Sequence, residues 1–116
     1  MAIAIDPSIS VPCVIVADRE LPEDQRTIFY LKPMTRRSSI KYADRLKTST
    51  TTLDEELELL SDHLTGWSNF RDSNGADIAF EKNMASNIDK MNLGTFVGIL
   101  SCLLEISSMK PTDLKN

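Results

Sequence analysis

Thr52-Leu-Asp-Glu55-Glu-Leu57-Glu-Leu-Leu60-Ser-Asp-His63-Leu64-Thr-Gly66 carries the strongest local signal in the chain. Thr52 and Glu55 stand at the capping-box spacing, in which the hydroxyl accepts a backbone N–H and the carboxylate reaches back. Behind that start Leu53, Leu57, Leu60 and Leu64 recur at i, i+4, i+7 and i+11, which is one stripe of a helix with 3.6 residues per turn. Asp54, Glu55 and Glu56 suit the positive end of the helix and His63 the negative end. Gly66, free to take a left-handed conformation, closes it. The reading is a helix over residues 53–65 with a solvated acidic outer face that includes Asp62 and His63.

Upstream, Ile9-Ser-Val-Pro-Cys-Val-Ile-Val16 is rich in β-branched residues and bounded by charge and proline, which predicts a strand. Pro12 cannot donate to a ladder, so that strand belongs at a sheet edge, a bulge or just before the paired region. Thr27-Ile-Phe-Tyr-Leu-Lys32, stopped by Pro33, reads as a second strand antiparallel to the first, across a polar connection at residues 18–25. Thr35 is placed to cap a helix over residues 36–47. Ile40, Tyr42, Ala43 and Leu46 fall on one side of it and Arg37, Lys41 and Arg45 on the other. The run Lys47-Thr-Ser-Thr-Thr-Thr52 favours caps and turns and separates the two helices.

Downstream, Asn74-Gly75 is a turn, and the segment from Trp67 to Phe80 reads either as a small two-stranded ribbon or as an ordered loop. In both cases Trp67, Phe70, Ile78 and Phe80 plug the space between the acidic helix and the next one. Met84, Ile88 and Met91 predict a short helix over residues 82–91, with Asn92 to Gly94 breaking it. The last helix, from Thr95 to Ser107, presents Phe96, Val97, Ile99, Leu100, Leu103, Leu104 and Ile106 over roughly half its circumference. Such a face belongs either to a central core helix or to an interface, and Phe96, Leu100, Leu103 and Leu104 are its partner-binding candidates. The fold class is α+β and mainly helical: a two-stranded N-terminal segment followed by about four helices, in one domain over residues 1–116 whose ends, 1–8 and 108–116, are frayed.

Composition bounds the chemistry. With 41% hydrophobic and 26% charged residues, the 116-residue chain is of ordinary globular make-up. Its net charge of -4 argues against a general nucleic-acid binder. The N-terminus has no signal-peptide pattern, and Leu93–Ile106 is too short and too interrupted to cross a membrane. One histidine leaves no room for the usual catalytic or zinc sets, and Cys13 and Cys102 read as two separate buried thiols. Asp72-Ser-Asn-Gly-Ala-Asp77 has Asp77 and Asn83 where a calcium loop needs Gly and Glu. Gly94-x-x-x-Gly98 is a small-residue spacing that lets another backbone approach closely. No catalytic residue, metal or cofactor is expected. The charges segregate: Lys32, Arg36, Arg37, Lys41, Arg45 and Lys47 oppose Asp44 alone, and the next helix is acidic. Arg37, Lys41 and Arg45 read either as a dock for an acidic protein segment or a phosphate backbone, the acidic total favouring the protein, or as the partner of that acidic helix.

In order along the chain, Ile28-Phe-Tyr-Leu-Lys-Pro33, Tyr42-Ala-Asp-Arg-Leu46, His63-Leu-Thr-Gly-Trp67-Ser-Asn-Phe70, Asp72-Ser-Asn-Gly75 and Ile78-Ala-Phe80 resemble the small tail assembly chaperones of long-tailed bacteriophages and related prophages. The resemblance covers roughly residues 27–91. It implies a mainly helical, non-enzymatic protein of the host cytoplasm that holds the long helical tape measure protein while tail tube subunits polymerise around it. It implies no catalytic residue, and the two-strand start departs from the pattern. The alternative in another class is a phage structural or head–tail joining protein retained in the particle. A homo-oligomer is expected, because repeated copies on a long client add avidity.

Overall fold

The computed structural model describes residues 4–6, 8–48 and 52–108, the side chains of residues 43–48 excepted. In chain order the elements are β1 (Val11–Cys13), β2 (Ile28–Leu31), α1 (Arg36–Thr48), α2 (Leu53–His63), β3 (Leu64–Ser68), α3 (Met84–Ile88) and α4 (Leu93–Ser108). This is an α+β chain, but its sheet has three antiparallel strands in the order β1-β2-β3 where the sequence pattern suggested two.

Pro12 sits opposite Tyr30 in the edge strand β1, where a residue without an N–H is tolerated. The first strand is shorter than Ile9–Val16. Val16–Asp18 and Glu23–Gln25 are instead 3₁₀ turns in the connection to β2. Asn69 holds that connection: at φ 58° it donates through Nδ2 to the carbonyls of Asp24 and Arg26, both at 3.1 Å.

The N-cap half of the capping box forms, with the backbone N–H of Glu55 donating to Thr52 Oγ1 at 3.2 Å. The other end of α2 differs. Leu64, at φ -84° and ψ 117°, is already extended, so helix passes directly into strand without a left-handed Gly66. The cause is the open edge of β2. Phe29 pairs with Trp67, Tyr30 with Gly66 and Leu31 with Leu64, and the N–H of Lys32 continues the ladder by donating to His63 O at 2.8 Å. Pairing a free edge satisfies several backbone groups at once, more than a glycine cap does.

The turn of residues 71–77 combines both readings of that segment. Arg71 and Asp77 form a single bridge, Gly75 takes φ 83°, and Asp72 Oδ1 accepts the N–H groups of Asn74 and Ala76. Of the flanking residues, Trp67 and Phe80 pack against the core; Trp67 meets Phe70 and Phe80 edge-on at 4.9 Å, and Trp67 Nε1 donates to Ile78 O at 2.7 Å. Helix α3 is shorter than residues 82–91. Asn83 caps it, and the buried Asn87 side chain spans Glu81 by accepting from its N–H and donating to its carbonyl.

Helix α4 begins at Leu93, two residues before the expected Thr95. Asn92 does not break the chain there; its Oδ1 accepts from the N–H of Thr95 at 2.8 Å as an N-cap. The core gathers Val11, Cys13, Phe29 and Leu31 from the sheet, Leu59, Leu60 and Leu64 from the α2–β3 junction, and Phe96, Ile99, Leu103 and Ile106 from α4. Of the expected frayed ends, residues 1–3, 7 and 109–116 lie outside the described residues, while Ser108 closes α4. The linker residues 49–51 also lie outside them, and α1 extends to Thr48.

Candidate functional site

The wide face of α4 is divided. Phe96, Ile99, Leu103 and Ile106 are buried in the core together with Cys102, a residue the expected face did not include. Leu93, Val97 and Leu104 remain 77%, 49% and 45% exposed, and Leu100 is partly buried beside them. Phe96 and Leu103 are therefore core residues and not partner-binding residues. What stays outside, Leu93, Val97 and Leu104, forms with the partly buried Leu100 a second stripe at steps of four, three and four. That alternation is the one by which two helices share a seam. Exposed Gly94, Ser101 and Ser108, seven apart, run alongside it and leave room for a close neighbour.

Leu93 and Val97 were missing from the candidates. The signal that finds Leu93 is Asn92, which is an N-cap residue type and places Leu93 inside the helix. At its far end the stripe meets a shallow groove of about 460 Å³, whose wall includes Ile5, Met34, Arg36, Leu104 and Ser107. Ser107 shapes that wall, accepting the Met34 N–H at 2.9 Å and donating to Leu103 O at 2.6 Å.

The basic stripe of α1 is partly committed. Lys41 pairs with Glu58 on α2 and lies 5.3 Å from the Tyr42 ring centre. Tyr42, fully buried, donates its hydroxyl to Asp62 Oδ2 at 2.6 Å. The basic and acidic helices thus bind one another here, while Arg37 is exposed and the Arg45 side chain lies outside the described residues. Ile40, expected on the inner side of α1, is 61% exposed.

His63 is not on a solvated surface. It is 4% exposed, its ring meets Tyr42 edge-on at 5.8 Å, and Nδ1 lies 2.8 Å from Leu59 O, a geometry satisfied by donation from the ring. Burial holds its pKa below the usual histidine value, against the opposing pull of the Leu59 carbonyl and of Asp62. A neutral imidazole inside the core is a packing group. Among the described residues no group of three or more His, Cys, Asp and Glu is arranged to hold a metal ion, and no helix is long and apolar enough to cross a membrane. The chain matches no protein-family model, no curated protein and no solved structure.

Proposed function

We propose that the chain is a non-enzymatic binding protein that acts as a tail assembly chaperone of a long-tailed bacteriophage or prophage. It engages the tape measure protein in the host cytoplasm while the tail tube polymerises. The observation that carries this reading is the stripe Leu93-Val97-Leu100-Leu104, three exposed apolar residues and the partly buried Leu100 at helix-seam spacing on a helix whose other side is packed. A long helical client presents such seams repeatedly, so several copies binding along it add avidity that one short seam does not supply. The order of motifs between Thr27 and Phe80 supports the phage assignment.

Co-expression with the long helical protein of the neighbouring open reading frame tests the reading. Capture of that protein by the wild type, and its loss in Leu104→Asp with an unchanged melting temperature, is the expected result. Capture that persists in Leu104→Asp and in Val97→Asp removes the α4 seam from the function. Recovery of the chain in finished particles supports the structural, head–tail joining reading instead.

A further inference from the structure

Cys13 closes β1 and Cys102 sits in the middle of α4, yet the fold brings them together. Helix α4 lies directly on the chain just beyond β1. A Cβ at Gly98 would stand 3.0 Å from Ile15 Cγ2, and one turn further Cys102 Sγ reaches Val14 O at 3.5 Å. Both cysteines are free and buried in the same core cluster, and each perturbs the other's ionisation more than any other group does. Above them runs Arg19, whose Nε donates to Val14 O at 3.0 Å and whose Nη2 pairs with Glu105 Oε2 at 3.0 Å. That ion pair is 40% and 44% exposed. The thiols therefore lie one layer beneath a pair of side chains in contact with water.

We propose that Cys13 and Cys102 are a redox-active dithiol that reacts with small-molecule disulfides and closes to an intramolecular disulfide tying β1 to α4. The two cysteines are not equivalent. Cys13 and the Arg19 guanidinium, which shares the Val14 carbonyl with Cys102, favour the thiolate of Cys102, against the effects of burial and Glu105. Cys102 and burial keep Cys13 protonated. When Cys102 loses its proton, Val14 O retains the Arg19 Nε donor, so no carbonyl is stranded. Cys102 is thus the attacking sulfur and Cys13 the resolving one, the division found in redox-sensing pairs.

In the first step the Cys102 thiolate attacks one sulfur of the external disulfide. Its S–S bond breaks, a mixed disulfide forms on Cys102 and one thiolate leaves. In the second step Cys13 gives up its proton and attacks Cys102 Sγ, the mixed S–S bond breaks and the second thiolate leaves. The two leaving thiolates take up the two protons. The protein dithiol is oxidised by two electrons and the external disulfide is reduced to two thiols. Access is through opening of the Arg19–Glu105 pair, since an exposed ion pair is weakly held. In a reducing compartment the product is returned to the dithiol, which makes the bond a reversible lock and not a permanent staple.

The test uses the folded full chain with oxidised glutathione, read by intact mass, peptide mapping and melting temperature. The expected result is loss of two hydrogens, a Cys13–Cys102 cross-linked peptide, and a rise of several degrees in melting temperature that dithiothreitol reverses. Cys13→Ala is expected to stop at a stable glutathione adduct on Cys102, and Cys102→Ala to modify Cys13 at least tenfold more slowly. A wild type that stays reduced until denaturant unfolds it overturns the proposal. So does adduct formation at equal rates in the two single variants, and Cys13→Ser with Cys102→Ser repeats the comparison should an alanine variant fail to fold.

Discussion

Helices α2 and α4 carry apolar stripes of similar regularity, but the fold buries them in different ways. Helix α2 is buried toward one end: Leu53 at its start is 59% exposed, while Leu59, Leu60, His63 and the adjoining Leu64 are inside. Helix α4 is buried along one side: Phe96, Ile99, Leu103 and Ile106 are covered over three turns, while Leu93, Val97 and Leu104 face out. The difference comes from what each helix touches. Helix α2 packs against α3 and turns directly into β3, so its burial concentrates in its second half. Helix α4 lies lengthwise on the core, so one flank is covered and the other is left with more apolar surface than a short domain has elements to cover.

The largest expected effect is on the inner flank of α4. Leu103→Ala removes a fully buried side chain and is expected to cost ~2–5 kcal/mol in denaturant unfolding. A loss under ~1 kcal/mol would mean that the inner flank is not the core the comparison makes it.

His63→Ala tests the buried end of α2. The sequence reading placed His63 in solvent, where its removal costs little stability. Buried against Tyr42 with its ring on the Leu59 carbonyl, its loss is expected to cost ~1–3 kcal/mol. The same burial sets a pH dependence. The folded state resists protonating His63 while the unfolded chain takes up a proton near the ordinary value of 6.5, so the unfolded state binds more protons on acidification. Stability from this group is full above pH 6.5 and declines as pH falls toward the lowered folded pKa. Melting temperatures measured across that range in the wild type and in His63→Gln check it, the variant losing that part of the slope.

Thr52→Ala addresses the open end of α2. Deleting the hydroxyl that accepts the Glu55 N–H is expected to cost about 1 kcal/mol, less than either buried site. A larger loss would show that the start of α2 is anchored by more than its cap. The smallest stability effect belongs to the outer flank of α4, where Leu104→Asp is expected to move unfolding by no more than ~0.5 kcal/mol. A cost approaching that of Leu103→Ala would erase the distinction between the two flanks.

Local chemistry in the sequence determined the helix starts at Thr35 and Thr52, the antiparallel pairing of the first two strands, the Asn74-Gly75 turn and the inward packing of Trp67 and Phe80. Each depends on groups a few residues apart, or on a residue that lacks an N–H or a side chain, and those constraints act before any distant part of the chain arrives. Only the tertiary structure decided that Leu64–Ser68 becomes a strand, because the N–H and carbonyl groups that draw it out of the helix belong to the edge of β2. It alone decided which flank of α4 is core, since both flanks are equally apolar and burial depends on what lies beneath. It likewise placed His63 indoors and set Cys13 against Cys102, for burial and proximity between distant segments are properties of packing that residue spacing along the chain does not encode.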